Sequence, residues 1–445
     1  MAQASTLQTY TRARELPPEV WLRVFAYATY IPGAYESDSG QALTAFARDK
    51  YGISVHRRHR EATDLMLAAS RVCKTWTPLI TEFLFQYLLV ESGDHAIEVV
   101  KVLGRYDRDA VNRNAAGRWT VRLELALEGV HRWEDVHTAA LARIFEFCPN
   151  VTVFSTAFST TDASLFQGRR FLRAMRDVGM RFNIRRLELK GDAALFETIL
   201  PPLAPTLETL WLLPSRRTAP DRVVDPMHFP HVHTFVLSDG FGWGSPPPNW
   251  AMPSLRTLYA EDDNLSPAAQ RKAQKFFGTH GAQLEQLITG RSALGHINSC
   301  TNLVEWTLPC GLLFQVTRLG PPEHWLPTAV RRLTLADDMS TTYMFRLDHI
   351  ALIVEWLGAG FFPTLETIRF LLPLGRHIRR QRCREDWEQA IALLCERTQQ
   401  RGISLEASLG GDEHTADVWS PLTLDHLLDP TDCCPRKHPF LARSF

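Results

Sequence analysis

The apolar positions of this chain change their spacing once. Through the first ninety residues they recur every three or four positions, and from about residue 119 they alternate. Leu16-Pro17-Pro18-Glu19 opens a segment in which Val20, Trp21, Val24, Phe25 and Ala28 form one broad apolar face at the helical period. Prolines are tolerated in a first turn, where the N–H groups have no intrahelical partner, and Glu19 suits the positive end of the helix dipole. A polar stretch follows Ile31-Pro32-Gly33 and runs to about Thr63, with the basic run His56-Arg57-Arg58-His59-Arg60 inside it, which reads best as a solvated helix face. A second apolar segment carries Leu65, Leu67, Ala68, Val72 and Cys73, then Trp76, Leu79, Ile80, Phe83, Leu84, Phe85 and Leu88. Pro78 is expected to break it into two short helices.

Downstream, a motif of the form apolar-x-x-apolar-x-apolar returns eleven times. Copies include Val121-Arg122-Leu123-Glu124-Leu125, Ile184-Arg185-Arg186-Leu187-Glu188-Leu189 and Leu207-Glu208-Thr209-Leu210-Trp211-Leu212. The central apolar residues fall at 123, 154, 187, 210, 235, 258, 287, 306, 333, 368 and 405. Their mean interval, about 28, lies at the upper end of the leucine-rich-repeat range. Alternation buries one face of a short strand and turns the intervening Glu, Arg or Thr outward. Such a strand cannot bury its inner face alone and must stack on neighbours. Helical stretches such as 139–148, 193–200 and 387–395 lie between copies, and proline commonly introduces the next strand. An ordinary α/β domain with a parallel sheet is the alternative, but eleven motifs exceed a typical sheet.

The expected fold is therefore α/β: an N-terminal helical module, then an irregular leucine-rich-repeat-like solenoid forming an arc. The module is placed at 14–90 with an insertion at about 30–63, a linker or first helix at 91–118, and the solenoid at 119–410. The tail, 411–445, is expected to cap the last strand through residues such as Val418 and Trp419, or else to be partly disordered.

Composition narrows the classes of function. The chain has 445 residues, 49 Lys plus Arg against 49 Asp plus Glu, and 45% hydrophobic residues. That apolar content excludes global disorder, and zero net charge argues against a polycationic nucleic-acid partner. No stretch has the length of apolar sequence that crosses a bilayer, and Met1 to Glu15 lacks a signal-peptide core, so no membrane partner is expected. The eight cysteines are scattered without a C-x-x-C pair, which fits buried free thiols in the cytoplasm or nucleus. The sequons at Asn150 and Asn264 would matter only on a secretory route.

No catalytic, cofactor-binding or metal-binding residue is expected. Gly240-Phe241-Gly242-Trp243-Gly244 leads into prolines rather than a helix N-terminus, so no phosphate cradle follows. P-loop, nucleophile-elbow and zincin motifs are missing from the sequence. His228, His231 and His233 read as turn and strand rather than as ligands. Arg376, Arg379, Arg380, Arg382 and Arg384, with His377, form a basic run. It is open to three readings: a solvated loop, a nuclear-import signal, or a patch for an acidic or phosphorylated substrate segment.

The run from Leu16 to Ala28, followed by Ser70-Arg71-Val72-Cys73-Lys74-Thr75-Trp76, resembles an F-box, the second part matching its V-C-K/R-x-W signature. The resemblance covers roughly a tenth of the chain. With the repeats downstream, the chain resembles the F-box/leucine-rich-repeat receptors of SCF-type ubiquitin ligases, most closely those of mushroom-forming fungi. It departs from them in the insertion at 30–63. The resemblance implies a non-catalytic substrate receptor that docks on the Skp adaptor, and through it on cullin and RING subunits, while the repeats hold an unknown protein substrate. The adaptor-facing residues it implies are Leu16, Pro17, Val20, Val24, Phe25, Val72, Cys73, Lys74 and Trp76. Any one of these could equally serve an internal core. An F-box scaffold outside the ligase, and a repeat-domain enzyme or small-ligand sensor, are the rival readings.

Overall fold

A computed structural model describes residues 16–31, 33–36, 53–108, 116–127, 133–159, 169–191, 193–214, 225–237, 249–260, 267–309, 312–313, 328–336, 347–371, 384–408 and 419–421. The chain divides into two compact units, one of 1–39, 46–190 and 198–206, the other of 40–45, 191–197 and 207–445.

Among the described residues the first unit opens with three helices: α1 (Pro18–Ala28), α2 (Ile53–Ser70) and α3 (Trp76–Gln86). α2 starts ten residues before the expected end of the polar insertion. It carries the run His56 to Arg60, expected as a solvated helix face; the helix is there, but His56 is buried. The break between α2 and α3 falls at residues 71–75 rather than at Pro78. Pro78 sits in the first turn of α3, where a missing N–H costs nothing.

Strand β1 (Tyr87–Val90) follows directly, so the strand series begins well before residue 119. β2 (Arg122–Leu125), β3 (Val153–Ser155) and β4 (Arg186–Gly191) pair parallel with it in sequence order. The segment expected as a linker or first helix is the first crossover: α4 (Gly93–Arg108), then a 3-10 turn at Ala116–Trp119. α5 (Asp135–Phe147) and α6 (Arg169–Arg181) make the next two crossovers.

The second unit continues the same plan. α7 (Ala193–Leu203) lies across the division of the chain. β5 (Thr209–Pro214), β6 (Thr234–Leu237), β7 (Thr257–Ala260), β8 (Gln286–Thr289), β9 (Glu305–Pro309), β10 (Arg332–Ala336), β11 (Thr367–Leu371) and β12 (Ser404–Ser408) are parallel, each paired with its sequence neighbour. Helices α8 (Pro267–His280), α9 (Arg291–Leu294), α10 (Leu347–Gly358) and α11 (Arg384–Gln400) connect strands. β13 (Trp419–Pro421) closes the edge by pairing antiparallel with β12. A parallel pair needs a crossover of a dozen residues or more, which the long repeat interval supplies.

All eleven sequence motifs are strands, and their central apolar residues are the register. Leu88, Leu123, Phe154 and Leu187 are consecutive partners in the first unit. Leu210, Phe235, Leu258, Leu287, Trp306, Leu333, Ile368 and Leu405 are consecutive partners in the second. Every one is buried. This stacking of one strand per repeat is the leucine-rich-repeat-like α/β solenoid expected from the intervals. Burying each strand's apolar row against the next row is what makes the repeats cohere.

Candidate protein-interaction site

α1 begins from Pro17, which holds an extended backbone (φ −54, ψ 146), with Pro18 at its first position and Glu19 in its first turn. Its inner face carries Phe25, which joins Met66, Ala69 and Ile80 in a core shared by all three helices; Trp21, Trp76, Leu79, Phe83 and Leu84 pack against that core. Trp21 and Trp76 approach to 4.4 Å between ring centroids, and Phe25 meets Trp76 edge-on at 5.4 Å. So small a helical unit buries little by itself, and these aromatic contacts add to the cohesion its aliphatic core supplies.

The broad apolar face of α1 is therefore split in two. Trp21 and Phe25 point inward, while Leu16, Val20, Val24 and Tyr27 stand in solvent. Of the nine residues implied as adaptor-facing, Leu16 (44%), Val20 (38%), Val24 (45%) and Val72 (66%) are exposed hydrophobics, and Pro17 and Lys74 are exposed as well. Cys73 is half-buried with its Sγ 3.1 Å from Thr75 Oγ1. Phe25 and Trp76 belong to the internal packing, Phe25 fully and Trp76 partly. Leu16, Val20, Val24 and Val72 thus leave apolar area exposed on a packed framework.

Arg376, Arg379, Arg380 and Arg382 lie outside the described residues; Arg384 opens α11, and its side chain too is outside them. Among the described residues no cluster of His, Cys, Asp and Glu could hold a metal, and no helix is long and apolar enough to cross a membrane. Buried Cys148 and Cys300 are poor nucleophiles, since burial pushes their thiols up to about 11 and about 12.

A feature the sequence did not announce lies on the first unit's strands. Arg122, Glu124, Arg186 and Glu188 leave the sheet opposite the leucines, as alternation requires, yet their side chains are fully buried. All five N–H groups of Arg122 are used. Nε and Nη2 donate to Glu124 Oε2 at 3.0 and 2.6 Å, Nη2 and Nη1 donate to Glu188 at 2.8 and 3.0 Å, and Nη1 donates to the Ala34 carbonyl at 3.3 Å. Arg186 Nη2 lies 2.6 Å from Glu188, and its Nη1 donates to the carbonyls of Gly33 and Glu36. β3 places Val153 and Ser155 between the two Arg-x-Glu pairs, and these small residues let them meet.

From above, His56 Nε2 sits 2.6 Å from Glu124 Oε1, and the Tyr87 hydroxyl donates to Glu124 Oε2 at 2.5 Å. Burial alone would raise the Glu124 carboxyl; Arg122 first, then His56, overrule it and hold it down at about 2. With Glu124 ionised, His56 must carry its proton on Nε2. The repeated tetrapeptide Arg-Leu-Glu-Leu at 122–125 and 186–189 is the sequence signal for this cluster.

In the second unit part of the outward row is more open: Thr257, Gln286, Glu305, Arg332 and Thr367 are partly accessible and Ser404 is exposed, while Thr209 and Thr234 at its start, and Thr307, Thr334 and Arg369 two residues further along their strands, are buried. Arg332 donates to Glu305 at 2.8 Å, and Arg369 donates to Glu406 at 2.6 Å.

No protein-family model matches the chain, and no curated protein matches it in sequence. Among solved structures, LegL7, a leucine-rich repeat-containing protein from Legionella pneumophila, is similar at a TM-score of 0.38 and 13% identity, over 65% of this chain and 84% of that one. At that level the fold rests on the strand order and register given above.

Proposed function

We propose that this chain is the substrate-recognition subunit of an SCF-type ubiquitin ligase, non-catalytic, with the three-helix module docking the Skp adaptor and the strand repeats holding a protein substrate. The observation that carries the reading is the exposed stripe Leu16, Val20 and Val24, with Val72 beside the Cys73-Lys74-Thr75-Trp76 run, on a module whose core is closed around Phe25, Met66, Ala69 and Ile80. Such a stripe is the kind of surface a partner covers. Stacked strands with a partly accessible polar row suit recognition of a second protein, and the receptor raises that protein's local concentration beside the ligase. Cytoplasm and nucleus are the compartments this role requires.

The test is direct binding of the purified full chain to recombinant Skp adaptor by calorimetry. Val24→Asp places a charge in the stripe and should weaken binding by about tenfold or more, the loss expected at an interface hot spot, with an unchanged circular dichroism spectrum. Trp76→Ala is unsuitable for this purpose because it would empty the module's core. A folded chain that fails to bind the adaptor overturns the proposal. Recovery of adaptor without cullin from cells points instead to a scaffold outside the ligase.

A further inference from the structure

Helix α6 carries five arginines and one aspartate in 13 residues, in a chain whose net charge is zero. Its two faces are divided. Phe171, Met175 and Val178 recur at helical spacing and are buried, which anchors the helix in the first unit. Among its described side chains every exposed one is charged: Arg170, Arg173, Arg176, Asp177 and Arg181. Both carboxylates of the neighbouring α5 are already engaged, Asp135 by Arg170 at 2.5 Å and Glu146 by Arg143. Arg176 lies 3.9 Å from Asp177, with both side chains open to solvent. Arg173 and Arg181 meet no carboxylate among the described residues.

Helix stability does not ask for this arrangement. No acidic residue stands in the first turn, and Arg169 and Arg170 open the helix at the positive end of its dipole, where cations are disfavoured. Arg170 and Arg173, and again Arg173 and Arg176, are like charges one turn apart, which repel. A ligand of opposite charge turns both penalties into attraction. The face also restricts what that ligand is. With no exposed apolar side chain among those described, it offers nothing for insertion into a lipid surface. One helix in a chain without cationic excess supplies little of the long-range field on which nucleic-acid binding rests. Carboxylates fit. Guanidinium groups take them bidentately, and arginines three residues apart present such forks about one helical pitch, roughly 5 Å, from each other.

We propose that the exposed face of α6, centred on Arg173 and Arg176, is a docking surface for an acidic polypeptide segment, rich in Asp and Glu, of a partner protein. The experiment titrates the purified full chain into a fluorescein-labelled peptide of alternating Glu and Asp, read by fluorescence anisotropy at low and physiological salt. Saturable binding that weakens with salt is expected. Arg173→Glu combined with Arg176→Glu should weaken it about tenfold or more, through loss of two charge-assisted pairs, with an unchanged circular dichroism spectrum. The matched reversal on α8, Arg271→Glu with Lys275→Glu, changes exposed cations of a helix that has no acidic residue, and should leave binding within about twofold. Equal losses in the two variants would mean attraction to charge in general and overturn the proposal. So would no binding to the native chain at millimolar peptide, or tighter α6-dependent binding to single-stranded RNA or to phosphatidylserine vesicles than to the peptide. Should the reversed α6 chain fail to fold, Arg173→Gln with Arg176→Gln removes the charges without adding any. That variant must then weaken peptide binding by about threefold or more, and unchanged binding overturns the proposal. The assay contains no adaptor, so its outcome is independent of the ligase reading.

Discussion

Glu124→Gln isolates what the buried charges contribute. The substitution keeps the shape of the side chain and one carbonyl acceptor, but removes the charge that faces Arg122, His56 and the Tyr87 hydroxyl. In the folded chain the carboxyl is held from its ordinary 4.5 down to about 2. At about 1.4 kcal/mol for each tenfold change in proton affinity, this preference for the ionised form is on the order of 3 kcal/mol. A single uncompensated guanidinium in a buried cluster costs a similar amount, roughly 3–5 kcal/mol. The sign follows from the depressed value: the contribution is complete above the unfolded carboxylate's pKa and disappears as pH falls through the folded value. The glutamine variant should therefore be less stable than the native chain by about 3 kcal/mol at pH 7, and the gap should narrow steadily from about pH 4.5 towards pH 2. Urea unfolding with pulsed hydrogen exchange, read on peptides from β1 to β4, reports the first unit separately from the rest. A loss below about 1 kcal/mol at pH 7, well short of the linkage value, would refute the reasoning. So would a gap that is as wide at pH 2 as at pH 7.

Other perturbations test other parts of the structure. Burial lowers the pKa of His59 from its ordinary 6.5, so folding favours the neutral ring and stability should fall as pH drops from that value through the folded one; melting at pH 7 and pH 5 should show a smaller acid loss in His59→Gln. Trp306→Ala removes a fully buried ring from the central register and its hydrogen bond to Thr289 Oγ1 at 3.1 Å, and should cost about 3–5 kcal/mol by denaturant unfolding. Gly117→Ala puts a Cβ 2.3 Å from the Phe147 carbonyl oxygen, backbone that cannot swing aside; a loss of about 1–3 kcal/mol is expected, and a neutral result would mean the 3-10 turn is looser than described.

Much of this protein could be read from local spacing. The period of two in Leu-x-Leu fixes which residues turn toward the core, and within each unit the columns Leu123 to Leu187 and Leu210 to Leu405 are the register of the strands because each repeat meets its neighbour in the same way. The helical N-terminus was legible for the same reason: Val20, Trp21, Val24 and Phe25 repeat at the period of a helix. The period could not divide that face into an inner half around Phe25 and an outer half around Val24, since the division depends on where α3 lies. Nor could it separate β1 from α3, because Tyr87-Leu88-Leu89-Val90 continues an apolar run that suits either element.

What the tertiary structure alone decided is the fate of the outward face. Alternation sends Arg122, Glu124, Arg186 and Glu188 away from the leucines, and sequence reasoning stops there. Whether that side meets water depends on chain that arrives from far away: Arg122 reaches Ala34 across 88 positions and Arg186 reaches Glu36 across 150. A period is a property of a few consecutive residues. Closure of a sheet face is a property of distant segments, and it turned charges expected outside into the most buried ionic cluster described here.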